Sequence, residues 1–306
     1  MKKIQLAIIT FCFASLSFCD VSGVAYFNYS GDDGFGLSRT YFTYKSQISE
    51  ELSFKFQTDV GQSKDDSNGD VEDDRWWGFL KKAQLDWNVG NGMKVSMGLI
   101  GMNMFNVQEK TWGNRFISKS ALDLAGWSSS ADLGIGISKK IGNINASLLM
   151  TNGEGYKHAD VDGNQKISLQ AVYGEKRLDK NAGYNLGLVY STLDSELSDD
   201  SETVTGFFGG WSNGSLITGA EFHSKNNGDL DAALMSLSVN YALADNLTMF
   251  VRLDNEDPNT DVGGDDIDTE MAGFIWSPAK GLKICPNVPD LNASDPTFRV
   301  NFEFKF

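Results

Sequence analysis

Two short strings in this 306-residue chain carry residue types that could do chemistry. The run "DVDGN", 160–164, looks like the start of a calcium loop. Its sixth position is Gln165 where a sharp turn needs glycine, however, and its twelfth is Ala171 where a bidentate glutamate closes the site. The run "GWSNG", 210–214, matches the nucleophile-elbow string, but that elbow is a strand-to-helix turn, and the residues that follow it read as another strand. His158 and His223 are the two imidazoles available, and neither has a convincing serine partner for nucleophilic catalysis. Of the three cysteines, Cys12 and Cys19 sit in the N-terminal segment, which leaves Cys285 unable to build a disulfide framework or a thiolate cluster. The expectation is no catalytic residue, no metal and no cofactor.

The elements around these strings are strands. The apolar set Leu52, Phe54, Phe56 and Val60 alternates with Ser53, Lys55, Gln57 and Asp59. Ala83, Leu85, Trp87 and Val89 alternate with Lys82, Gln84, Asp86 and Asn88, and the same period of two recurs along the chain to Phe298, Val300, Phe302, Phe304 and Phe306. The second parity is rich in Gly, Ser, Asn and Gln with scattered charges, which suits a wet, confined lumen better than open water. Connections alternate as well. Short turns such as "GNGM", 90–93, and "ADN", 244–246, take turns with longer, mostly acidic loops such as "SKDDSNGDVEDD" and "NEDPNTDVGGDDIDTE". Sixteen strands, seven short turns and eight long loops follow, with both chain ends on the short-turn side. That is the layout of a transmembrane antiparallel β-barrel.

Composition bounds the remaining classes. A formal charge of −15 argues against nucleic acid, whose phosphates it would repel. The basic start Met1-Lys2-Lys3, the apolar run that follows and the small residues Ala14, Ser15 and Ser17 read as a secretory signal peptide over 1–19, with the barrel over 20–306. Acids crowd the long loops (Asp65, Asp66, Asp70, Glu72, Asp73, Asp74, Asp194, Glu196, Asp199, Asp200 and the 256–268 run). The short turns carry Lys139, Lys140, Lys176, Arg177, Lys180 and Lys280. An acidic outer vestibule would concentrate cations and share divalent ions with anionic lipid.

The stretch "LSRTYFTYKSQISEELSFKFQTDVGQ", the strand "FLKKAQLDWNV", the hairpin "GFIWSPAKGLKICPNV" and the final phenylalanine resemble bacterial outer-membrane porins, nearest the phosphate-selective porin O/P type and related porin-like barrels. The resemblance implies passive diffusion of small hydrophilic solutes and ions, a bacterial outer-membrane location, a homotrimer, and insertion by the barrel-assembly machinery with Phe306 as its signal. It also implies that the loop 102–127 folds into the barrel, which would set Glu109, Lys110, Arg115, Lys119 and Asp123 at a constriction. The Pro-Glu-Phe-Gly-Gly motif of general porins is missing from that loop. Inward parity adds Arg39, Lys55, Asp59, Lys82, Asp86, Asp132, Arg252 and Arg299 as lumen charges, with Arg39, Lys55, Lys82 and Arg252 expected opposite the loop. Lys81 shares parity with the lipid-facing Phe79 and Ala83, and is expected near a rim or in a subunit interface. Tyr26, Tyr29, Tyr41, Tyr44, Trp76, Trp77, Trp87, Tyr173, Tyr190, Trp211, Tyr241 and Trp276 are expected in aromatic girdles. Three other readings stand beside this one: a channel specific for an anion or a sugar, a barrel enzyme, and a closed structural barrel.

Overall fold

The computed structural model describes residues 19–62, 76–158, 163–194, 201–228 and 230–306. The signal segment, the acids of 63–75 and 195–200, and most of the "DVDGN" string therefore lie outside the described residues. Sixteen antiparallel strands close into one barrel, each paired with its sequence neighbour: β1 (Cys19–Ser30), β2 (Gly34–Gln47), β3 (Leu52–Gln62), β4 (Trp76–Gly90), β5 (Met93–Gly101), β6 (Ala131–Ile141), β7 (Ile144–Thr151), β8 (Lys166–Gly174), β9 (Gly183–Leu193), β10 (Glu202–Ser212), β11 (Leu216–Asn227), β12 (Leu230–Ala244), β13 (Leu247–Asp257), β14 (Ile267–Ala279), β15 (Leu282–Val288) and β16 (Arg299–Lys305). β16 pairs back onto β1 from Val24↔Lys305 to Ser30↔Arg299, so neither terminal strand has an open edge. Gly23 and Phe306 extend that seam by exchanging backbone hydrogen bonds of 3.1 and 3.2 Å.

The alternation sorts as it reads. Leu133, Ile135, Ile137, Leu186, Leu188, Met235, Leu237 and Val239 stand exposed on the outer wall, while Ser168, Asn185, Ser191 and Ser236 are buried inside. An outer wall this apolar suits hydrocarbon, and closure satisfies the strand backbones that hydrocarbon cannot. Trp87, Tyr173, Tyr184, Trp211, Tyr241 and Trp276 are exposed near the short-turn ends of their strands and form a girdle there. Tyr26 and Tyr41 do not join it. Both are 7 % exposed and meet edge-on inside the lumen, because they share parity with Arg39 and Thr43 rather than with Phe42.

Two of the eight expected long loops are tight. β1 and β2 run on until only Gly31–Asp33 separate them, and β11 and β12 until only two residues do, because strand pairing continues through polar residues that read as loop. The turn after β4 is a two-residue Asn-Gly connection, with φ of 49° at Asn91 and 71° at Gly92. Both residues in the left-handed region make a turn that matches the twist of the flanking strands.

One bulge changes a side-chain assignment. In the β3–β4 ladder Gln57 pairs with Lys82 and Thr58 with Leu80, so Lys81 is an extra residue with no opposite number. A bulge shifts the parity of everything beyond it. Lys81 therefore turns inward beside Lys82, at 5 % exposure, and the expected rim or interface position is wrong. Phe79 also turns inward, where the Lys157 ammonium lies 5.2 Å from its ring centre.

Candidate pore constriction

Residues 102–130, between β5 and β6, run inside the barrel. The segment carries two short helices, α1 (Gln108–Trp112) and α2 (Ala121–Leu124). Its apolar residues Met104, Val107, Phe116 and Leu122 are at most 3 % exposed. Gly113, at φ 73°, ends α1 in the left-handed conformation that glycine adopts without strain. The wall is shaped to receive α1. Gly210 and Gly219 face each other across β10 and β11, and a Cβ on either would meet Thr111 Cγ2, at 2.7 and 2.9 Å.

Polar side chains of the wall then satisfy the loop. Asn103 Nδ2 donates to Ser147 Oγ at 3.0 Å, and Gln170 Nε2 donates to Asn106 Oδ1 at 2.9 Å. Asn240 Nδ2 donates to the Trp112 carbonyl at 3.2 Å, and Asn301 Nδ2 donates to the Phe116 carbonyl at 3.1 Å. Arg252 Nη1 donates to the Lys119 carbonyl while its guanidinium lies 5.1 Å from the Trp112 ring centre. These partners sit on β7, β8, β12, β13 and β16, so the loop is fastened at several points around the wall. A buried backbone must find such partners, and the Asn, Gln and Ser of the inward parity are their source.

The charges of the loop are ordered. Arg115 bridges Glu109 and Asp123, each at 2.5 Å, and Lys119 pairs with Asp123 at 3.3 Å. Burial works against the charge on Asp123, but Arg115 and Lys119 outweigh it and hold its carboxyl below the ordinary value. Burial also opposes the Arg115 charge, and Glu109, Tyr41 and Asp123 together raise its pKa. On the wall, Arg39 pairs with Asp59 at 2.5 Å, and the Tyr156 hydroxyl donates to the same carboxylate at 2.9 Å. Lys81 lies 3.9 Å from Asp59 and 4.7 Å from the ring centres of both Tyr41 and Tyr156. Lys81 and Tyr156 were missed as lumen residues, the first because of the bulge and the second because it belongs to an unpatterned loop. Arg39, Arg115, Lys119, Asp123, Tyr156 and Lys157 line a single cavity of about 310 Å³ on the long-loop side.

The other expected residues spread out. Lys110 lies in the electrostatic reach of Lys55, Lys82 and Asp179, on the short-turn side rather than with Arg115. Lys55 and Lys82 line a second cavity of about 400 Å³ on that side. Asp86 pairs with Lys94 at 3.2 Å. Asp132 is 2 % exposed and accepts the Gly153 N–H at 2.7 Å, so it holds a loop backbone instead of offering charge to the lumen. Arg252 sits beneath the loop rather than across the passage from it, forked onto Asp254 at 2.8 and 2.6 Å. Arg299 stands opposite Asn287 in the β15–β16 ladder. The "GWSNG" string is the β10–β11 hairpin, with the Gly214 N–H donating to Ser212 Oγ at 3.1 Å, and His223 pairs with Glu221 at 2.9 Å.

Comparison with known proteins defines the fold class. The chain matches OmpF of Salmonella typhi, solved with daunomycin, at a TM-score of 0.65 and 10 % identity, over 95 % of this chain and 98 % of that one. A mutant of the Rh. blastica porin matches at 0.62 and 16 % identity, over 94 % and 99 %. The outer-membrane-expressed OmpT of Vibrio cholerae matches at 0.61 and 11 % identity, over 94 % and 97 %. No family model and no curated relative matches. At these identities the likeness is one of fold: a closed sixteen-stranded antiparallel β-barrel of the porin kind.

Proposed function

We propose that the chain is a bacterial outer-membrane porin through which small hydrophilic solutes and ions diffuse passively. The observation that carries this reading is the loop 102–130, fastened by side-chain hydrogen bonds inside a closed barrel, with a charged cavity on either side of it. A loop held in this way narrows the lumen and sorts solutes by size and sign. The apolar outer wall and the full-length fold likeness to outer-membrane proteins support the location. The barrel does no bond chemistry and needs no cofactor. Its homotrimeric state rests on the porin resemblance, and the nearer kinship with the phosphate-selective O/P type rests on the quoted strand sequences alone. Purified protein in planar bilayers is expected to give stepwise single-channel currents, and liposomes carrying it are expected to swell in arabinose. A silent bilayer and unswollen liposomes would favour a closed structural barrel instead.

Phe306 is assigned to assembly. Its backbone completes the β1–β16 seam and its ring lies over Gly23, which supports a part in closure, while its part as a signal to the assembly machinery rests on the porin resemblance. Truncation before Phe306 removes both backbone bonds at the seam and is expected to leave most of the protein unassembled. The measurement is the heat-modifiable gel shift of outer-membrane fractions; a normal yield of heat-modifiable oligomer would refute the assignment.

A further inference from the structure

The outer wall has a hollow in it across β9 to β12. The strand ladders set Leu186, Gly209, Ala220 and Leu237 side by side on the outward face. Neighbouring strands stand about 4.8 Å apart, so Leu186 and Leu237 rise about 14 Å from each other with nothing larger than a methyl group between them. The paired Phe207 and Phe222 close the hollow on the long-loop side, and Trp211 closes it on the short-turn side. The cavity so bounded is about 860 Å³ and predominantly apolar. Its rim is bare. Leu186 is 63 % exposed and Phe207 61 %, the highest values of any large apolar side chain on β9 and β10.

The loop inside the barrel does not explain this hollow. Gly210 and Gly219 make room for Thr111 on the inner face, but Gly209 and Ala220 point the other way. The nearest atom that a Cβ on Gly209 would meet is Leu186 Cδ2, at 3.0 Å, the end of a flexible side chain. Four small residues in two adjacent ladder pairs leave the wall as little more than backbone. A cavity of about 20 Å³ lies against its inner side beneath α1, and shares Phe208, Gly209, Gly219, Ala220, Glu221 and Ser238 with the outer one. A surface that faces a void loses its dispersion contacts outright, so the hollow is stable when something fills it.

Position and shape select the occupant. The hollow interrupts a wall that faces hydrocarbon, and its floor lies two residues, about 7 Å, from the girdle residue Trp211. Its rim is lowest at Thr218, the partner of Trp211, so a chain descending from the headgroup level enters there. The raised aromatic rim keeps a flat protein face off the floor, whereas a flexible methylene chain bends into it. We infer that the hollow over Gly209 and Ala220 is a binding site for one acyl chain of a phospholipid in the leaflet on the short-turn side, with the headgroup held at the girdle beside Trp211. The bound chain takes the place of the missing side chains and backs the thin wall on which α1 rests. The site needs the barrel to stand in a membrane but does not depend on conduction, so a silent bilayer would count against the porin reading and leave this inference standing.

The test is native mass spectrometry of the full-length protein, freed of lipid in detergent and titrated with dioleoyl phosphatidylethanolamine. The parent protein is expected to take up one lipid saturably. Ala220→Phe fills the hollow from an exposed position and should need about tenfold more lipid, the loss of on the order of ten carbon–carbon contacts. Leu133→Phe adds a ring to the outer wall on β6, away from the hollow, and should bind as the parent does. Heat-modifiable mobility checks the assembly of each variant, and Ala220→Leu, which fills less of the space, serves if the phenylalanine prevents assembly. A second readout is thermal unfolding: the lipid should raise the midpoint of the parent and of Leu133→Phe, and raise that of Ala220→Phe less, because a ligand stabilises the state that binds it. No saturable lipid on the parent, or equal affinity in the parent and the filled variants, would overturn the inference. So would a lipid-free parent oligomer that Ala220→Phe dissociates, since the hollow would then seat a second copy of the chain.

Discussion

Replacing Arg115 with glutamate is expected to move the reversal potential strongly toward cations and to make the open current noisy. Arg115 bridges Glu109 and Asp123, and the three side chains are 13, 18 and 9 % exposed. The substitution changes the local charge by two and sets three carboxylates together where one guanidinium had neutralised two. At about 4 Å and an effective dielectric near 20, each like-charge contact costs on the order of 4 kcal/mol before screening. The loop has to move to relieve that repulsion. Lys119 keeps its pairing with Asp123, but it is 38 % exposed and pairs with that carboxylate alone, where Arg115 Nη1 meets both. Arg39 and Lys81 on the facing wall would then be outnumbered. Arg115→Gln provides the control: it removes the bridge without adding a charge, so its selectivity should shift by roughly half as much. Reversal potentials that match the parent protein in both variants would show that this cluster does not face the permeating ions.

The barrel was legible because its signal is carried by many strands at once. Period-two alternation and the rhythm of short and long connections each recur along the chain, so errors at Leu230 or Gly34, where strands run further than expected, do not change the strand count. The site was less legible because it depends on two events that alternation does not encode. One is the bulge at Lys81. Its trace in the sequence is the doublet Phe79-Leu80 followed by Lys81-Lys82, where two apolar and then two charged residues break the period. Two adjacent lysines in a strand cannot both face the lumen without an extra residue in the ladder, and that argument alone would have placed Lys81 with Asp59. The other is which wall the loop leans on. Inward parity puts Arg252 on the inner face of β13, yet parity cannot tell a side chain that faces the passage from one that lies beneath the loop. The glycine pair Gly210 and Gly219 is the feature that decides it, since the wall is hollowed where α1 rests.

That placement makes Arg252 the residue whose loss should damage the pore most. Its side chain is 1 % exposed, forks onto Asp254, donates to the Lys119 carbonyl and lies over Trp112, so one guanidinium ties the wall to the end of α1 and to the stretch that leads into α2. Arg252→Ala leaves the Asp254 carboxylate, 8 % exposed, without its partner, and breaking such a buried pair costs about 3 to 5 kcal/mol. The variant is expected to lose its barrel circular-dichroism signal at a lower temperature than the parent, and its single channels should be larger and flicker. Two effects are mixed in that result, and a double variant separates them. Arg252→Met with Asp254→Leu removes both charges, so the stability loss should largely disappear, as it does when a buried pair is replaced by apolar residues of similar size. The flicker should remain, because methionine cannot hold the Lys119 carbonyl. Arg252→Lys should fall between the two, since an ammonium keeps the charge without the fork. Quiet, parent-sized currents from Arg252→Ala would mean that Asn240 and Asn301 hold the loop unaided, and that the guanidinium serves the barrel wall alone.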